Sequence, residues 1–293
     1  MEEVRKPESS RSQPLTIRFA ELCNSFDGRV GAAVTDLRTD EAFLFNADNI
    51  FPTASTIKLA ILCVFMEQCE KGEASLDEPL MLRRSDIVGG SGILQQLTPG
   101  LTLSARDWAF LMMNLSDNVA TNVLIDHIGL EAIQNWLARS QFSDVQLHRK
   151  IDFGALALDQ KNLGTATPLG LNRMMTAVFR RELVSPGACN EMMRMMNKVG
   201  ADRVGRYLPF DTYGTDEPEG DKLHLAGKTG SLSGTRSQTA AVWRGEEDAF
   251  RGFVITVMSE GNPEPELWSV DAPGVLLIGR LARLMYEEIL DVV

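Results

Sequence analysis

Apolar and polar positions follow two rhythms along this chain. Leu15, Phe19, Leu22 and Phe26 recur at helical spacing, which predicts an amphipathic helix over 15–26. Asp27-Gly28 closes it, and RVGAAVTDL (29–37) reads as a strand. A turn at Arg38-Thr39-Asp40 leads into EAFLFN (41–46), completing a hairpin. From Ser55 to about Arg180 the pattern is mostly helical with short loops, as in TIKLAILCVFMEQCEKG, SARDWAFLMMNLSDN and TPLGLNRMMTAVFRR. One stretch breaks it. Residues 147–168, LHRKIDFGALALDQKNLGTATP, hold two glycines and no sustained period, and a long loop of this kind is more often functional than accidental.

A further helix is expected around 187–197. The Pro/Gly/Asp-rich link PFDTYGTDEPEGDK (209–222) then leads to three strand-like segments, LHLAGKTG, SQTAAVWR and FRGFVITVMSE, and a last helix, PGVLLIGRLARLMYEEIL. Strands at both ends with helices between them predict an α+β fold. Its antiparallel sheet of about five strands is flanked by the N- and C-terminal helices, and the middle forms a mainly helical lobe. Residues 1–14 are expected to be disordered, 15–54 with 222–293 to form the α/β lobe, and 55–221 the helical lobe, with the active site between them.

Composition narrows the partners. Lys and Arg total 29 against 40 Asp and Glu, a formal net charge of −11, which disfavours a polyanionic partner. The four cysteines, Cys23, Cys63, Cys69 and Cys189, show no metal-binding spacing and read as small buried hydrophobes. The longest apolar run, LAILCVFM at 59–66, is too short to span a bilayer. The polar start MEEVRKPESSRSQPL is not an intact signal peptide, so the chain as written is cytoplasmic, or periplasmic or secreted if an export signal has been removed. No dimer patch is visible, and a monomer is expected.

The candidate chemistry begins at FPTASTIKLAIL (51–62), where Ser55 and Lys58 lie three residues apart at the head of a helix. Residues i and i+3 share a helix face, so Lys58 can approach the Ser55 hydroxyl and serve the base a weak serine nucleophile needs. Free N–H groups at the helix start could hold an oxyanion. The plainer reading is an N-capping serine with a solvated lysine. A Ser-x-x-Lys match is expected about once by chance at this length. Ser116-Asp117-Asn118 and Lys228-Thr229-Gly230 are each far rarer and occur once. A Ser-His-Asp triad is the competing mechanism. It has only His127, His148 and His224 to draw on, with no Gly-x-Ser-x-Gly elbow around Ser55.

The order SxxK, SDN, KTG resembles the class A β-lactamase and penicillin-binding-protein superfamily of serine hydrolases. GGSGILQQLTPG, LMMNLSDNVATNVLIDHIG and LAGKTGSLSGTR carry the likeness further, over roughly residues 15 to 290. The resemblance implies a covalent acyl-enzyme acting on a small molecule, a β-lactam or related amide or ester, with no metal and no cofactor. Ser55 resembles the nucleophile, Lys58 its proton acceptor, and Ser116 the relay to the leaving nitrogen. Asn118 resembles the residue that bonds the substrate's side-chain amide. Lys228, Thr229, Gly230 and Ser231 resemble the strand that binds the substrate carboxylate, with the N–H groups of Ser55 and Ser231 as oxyanion hole. Arg236 lies near the usual place of a carboxylate-supporting arginine, one residue out of register.

The resemblance has gaps. Class A enzymes carry a loop glutamate that activates the deacylating water, and residues 147–168 contain none. Thr165-Ala166-Thr167-Pro168 matches the loop's usual exit, and the loop offers Asp152, Asp159 and Asn162 instead. It resembles a branch of β-lactamase-related hydrolases with an Asp-Phe and a later Asn. Asp152 is read either as a substitute base or as a loop residue pairing with Arg149 or Lys150. The bulky aromatic the family keeps at the entrance is replaced by Gly89-Gly90-Ser91, so a more open mouth is expected. β-Lactam hydrolysis with uncertain deacylation is the leading expectation, with a D-Ala-D-Ala peptidase, an esterase or a non-turnover penicillin-binding protein as alternatives.

Overall fold

The computed structural model describes residues 13–210, 222–246 and 249–291. The expectations for 1–14 and for the 209–222 link fall, apart from their edges, outside the described residues. The first helix, α1, spans Leu15–Asn24, followed by strands β1 (Arg29–Asp36) and β2 (Ala42–Phe45). A 3-10 turn at Ala54–Ile57 runs directly into α2 (Lys58–Glu70). Then come α3 (Ala105–Asn114), α4 (Asn118–Ile128), α5 (Leu130–Arg139), α6 (Phe153–Leu158), α7 (Pro168–Phe179) and α8 (Pro186–Met196). Strands β3 (His224–Leu232), β4 (Thr235–Arg244) and β5 (Arg251–Glu260) precede α9 (Pro273–Met285), which widens into a π turn at Tyr286–Leu290.

The five strands form one antiparallel sheet in the order β2-β1-β5-β4-β3. The first hairpin therefore closes on the last strand, which brings the two ends of the chain into one layer. Period-2 alternation splits the core. On β5, Phe253, Ile255 and Val257 face α1 and α9, while Val254 and Met258 face the helical side. Val204 and Leu208, expected in the helical lobe, pack with α9 on the first of these faces.

Every residue from Lys58 to Met66 in α2 is buried, as befits a helix that is apolar nearly all round and surrounded by others. Asn172 of α7 fastens the helical side to the sheet. Its amide donates to the Ala33 and Val254 carbonyls, both at 3.0 Å, and its oxygen accepts from Thr35 Oγ1 at 2.6 Å. A small three-stranded ladder, Phe51–Pro52 with Gly164–Ala166 and Val145–Leu147, ties the end of the 147–168 loop to the segment entering Ser55. Cys23, Cys63 and Cys189 are buried and Cys69 is half-buried, all as free thiols; burial pushes Cys23 up to about 12.

Candidate active site

Ser55 sits in the 3-10 turn rather than at the head of an α-helix, and α2 begins only at Lys58. In a 3-10 turn residues i and i+3 eclipse, so the two side chains share a face more closely than on an α-helix. Ala54 holds a left-handed conformation, φ +47°, costing about 1–3 kcal/mol for a residue with a β-carbon. The second such residue in the site is Ser116, φ +52°. Two of the seven positive-φ non-glycine residues among the described ones therefore belong to the site.

Lys58 is fully buried, and all three of its N–H donors reach the 116–118 segment. Nζ donates to Ser116 O at 2.8 Å, to Asn118 Oδ1 at 3.0 Å and to Ser116 Oγ at 3.2 Å. Burial pulls its pKa down to about 7, against the opposing pull of the buried Asp117 carboxylate. Asp117 caps α4 by accepting from Ala120 N at 3.0 Å and also accepts from Leu94 N at 2.9 Å. It thereby pins the 89–97 segment onto the site. Ser91, expected only as part of a more open entrance, donates to Ser116 O at 2.7 Å, and its carbonyl accepts from Asn118 N at 3.0 Å. Asn118 Nδ2 donates to Gly89 O at 3.0 Å.

The other wall is the edge strand β3. Gly230 passes so close to the Ser55 turn that a β-carbon on it would lie 2.9 Å from Thr53 O and 3.0 Å from Ser55 N. Only glycine allows that approach. Lys228 is fully buried with Nζ donating to Thr229 O at 3.0 Å. Burial, then Lys58 and Arg203, hold it well below the usual lysine range. Arg203 is a residue the sequence reading missed. Its guanidinium donates to Ser231 Oγ at 2.9 Å and to Gly230 O at 3.2 Å. Ser55, Ser116, Asn118, Thr229, Ser231 and Arg203 line one cleft of about 470 Å³. A larger, shallower groove of about 890 Å³ between α1 and α9 holds none of the site residues.

A match to the model of the Beta-lactamase enzyme family runs over residues 14–289. The chain belongs to that family. It is 26% identical to the β-lactamase CARB-4 of Pseudomonas aeruginosa over 226 residues, 75% of this chain and 73% of that one. Its structure is similar to that of a β-lactamase from Sphaerobacter thermophilus, with a TM-score of 0.78, 29% identity, and 94% and 96% of the two chains covered. The structure of PBP-A shares the fold, with a TM-score of 0.77, 23% identity, and 94% and 95% covered.

Within this family fold, Arg236 lies elsewhere than expected. It is buried, donating to Leu232 O at 2.7 Å, Thr235 O at 2.8 Å and Leu267 O at 2.5 Å, with its guanidinium 4.8 Å from the Trp268 ring centroid. It does not line the cleft; Arg203 does. Asp152 is exposed and caps α6, accepting from Gly154 N at 2.9 Å and Ala155 N at 3.3 Å. Lys150, offered as its partner, pairs with Asp126 at 2.7 Å instead. Asn162 donates to Ala155 O at 2.8 Å, closing the far end of the same short helix.

What the loop turns toward Ser55 is apolar: Ile151, Phe153, Leu156 and Leu163. It is held at both ends. Asn122 exchanges bonds of 2.8 and 3.0 Å with the Ile151 backbone, and Gln160 bonds Ser233 O at 2.6 Å and Thr235 Oγ1 at 2.7 Å. Nor is the mouth simply opened by the two glycines, because the Phe153 ring lies over Gly90, 2.7 Å from where a β-carbon there would be. Among the described residues, no group of His, Cys, Asp and Glu could hold a metal ion, and no helix is long and apolar enough to cross a membrane.

Proposed function

We propose that the chain is a serine hydrolase that opens the amide of β-lactams through an ester on Ser55. The observation that carries this is the Lys58 amine, buried, drawn down to about 7 and bonded to the Ser116 hydroxyl, one helical turn from Ser55. Near neutral pH such an amine is available as a base, which a solvated lysine is not. Ser55 Oγ adds to the lactam carbonyl and gives its proton to Lys58. The ring C–N bond then breaks, and the nitrogen receives a proton by way of Ser116. The N–H groups of Ser55 and Ser231 hold the oxyanion, Lys228 and Arg203 attract the substrate carboxylate, and Asn118 orients the side-chain amide.

The ester is cleared when water adds to it and returns a proton to Ser55. The loop wall facing the ester is hydrocarbon, with Asp152 committed to its cap, so this second step is the slow one. That observation favours a lasting acyl-enzyme, as in a penicillin-binding protein, as the second reading. Mixing the protein with a chromogenic cephalosporin while following intact mass tests both. A fast stoichiometric burst with an adduct on Ser55, followed by slow turnover, is expected. Absence of any adduct or turnover would refute the assignment, and rapid turnover without accumulation would refute the slow second step.

A further inference from the structure

Two aromatic side chains at the mouth have no part in the chemistry above. Phe153 is 46% exposed and Trp268 is 56% exposed, yet both line the Ser55 cleft. Large rings that line a cleft offer a ligand apolar surface to bury.

Both are held in position. Phe153 is the first residue of α6, fixed by the Asp152 cap, and its ring rests on the Gly90 backbone beside Asn118. Trp268 lies over the Arg236 guanidinium, which three carbonyl oxygens hold still. This gives Arg236 a role: it is the platform for an aromatic ring. The two rings come from different elements, the 147–168 loop and the link between β5 and α9. Leu156, Leu163 and Leu232 add further apolar surface to the same cleft. The cleft thus carries two kinds of lining. One part offers Ser55, Ser231 and Arg203 to a carbonyl and a carboxylate, and the other offers hydrocarbon and aromatic faces.

Resting on the hydrolase reading, we propose that Phe153 and Trp268 form an aromatic clamp that selects substrates whose acyl portion carries an aryl group. A rigid pocket of this kind discriminates through burial of the aryl ring against groups already in place, with Trp268 and Phe153 as specificity-determining residues and no part in bond making.

The test compares benzylpenicillin with 6-acetamidopenicillanic acid, which has the same bicyclic nucleus and side-chain amide and no aryl group. The second-order rate of Ser55 acylation is read by intact mass. A second pair, p-nitrophenyl phenylacetate and p-nitrophenyl acetate, asks the same question without a lactam. The wild type is expected to favour the aryl member of each pair by about tenfold or more. Phe153→Ala and Trp268→Ala should each lower that ratio at least fivefold, and Phe153→Tyr should keep it. Leu158→Ala, on the same short helix but 86% exposed and outside the cleft, should leave the ratio as it is. A wild-type ratio near one, or variants that slow both members equally, would overturn the clamp. If neither lactam labels Ser55 while the ester ratio remains high and depends on Phe153, the lactam reading falls and the clamp stands. If no compound of either pair reacts, both fall.

Discussion

Lys58 and Ser116 are joined twice, the lysine Nζ donating to the serine carbonyl at 2.8 Å and to its hydroxyl at 3.2 Å. The carbonyl bond holds the amine whatever happens to the hydroxyl. Ser116→Ala should therefore leave Lys58 in place and remove only the relay. Acylation should slow by about 10²-fold, the lower end of what a positioned proton donor contributes. Single-turnover acylation kinetics with a β-lactam will check this, and a loss under threefold would dismiss the relay.

The pKa of Lys58 sets a pH profile. The amine must be neutral to accept the Ser55 proton, so acylation should rise with pH and level off above an apparent pKa of about 7. A profile flat from pH 5.5 to 8.5 would exclude Lys58 as the base.

Stability should move in the same direction. Between about 7 and the unfolded value near 10.4, the unfolded chain keeps the Lys58 proton and the native one has released it. Stability therefore increases with pH across that window. Below 7 both states are protonated and the full cost of burying the charge is felt. Comparing urea midpoints at pH 6.5 and 8.5, the wild type should gain stability that Lys58→Met lacks.

Gly230→Ala places a β-carbon 2.9 Å from Thr53 O and 3.0 Å from Ser55 N, so the strand must shift from the nucleophile. Acylation should drop more than tenfold, since about one ångström of misplacement costs that much or more. The circular dichroism spectrum should be unchanged. Wild-type rates in this variant would mean that the close approach has no catalytic consequence.

Asp152 is expected to act on α6 and not on water. Asp152→Asn keeps an N-capping side chain and should leave deacylation within twofold. Asp152→Ala should destabilise the loop by about 1 kcal/mol, seen as faster proteolysis there. Deacylation abolished by the asparagine would restore the carboxylate as a base.

Asn172→Ala would strip partners from Ala33 O, Val254 O and Thr35 Oγ1 together. A loss of about 2–4 kcal/mol is expected, because each unsatisfied buried group costs about 1–3 kcal/mol. Urea denaturation measures it directly.

Much of this was legible in the sequence because the chemistry sits in contiguous short motifs. Ser55 and Lys58 fall within one turn, 116–118 caps a helix, and 228–231 occupies an edge strand. The sheet could be read from period-2 segments at both ends of the chain. Arg203 could not be found that way. It precedes a 3-10 turn with no periodic pattern, and only the packing of 204–208 under α9 brings it to Ser231. Arg236 misled for a related reason. A one-residue shift reverses the face of a strand, and here its β-carbon lies against Gly274 at the start of α9. Phe153 lies over Gly90 from a different segment, a placement visible only once the loop is folded.

The buried Lys228 has one further consequence. With the cleft empty, its charge is opposed by burial and by its cationic neighbours. An arriving carboxylate pulls the other way and favours the ammonium. Affinity for an anionic substrate should therefore weaken as the medium becomes alkaline.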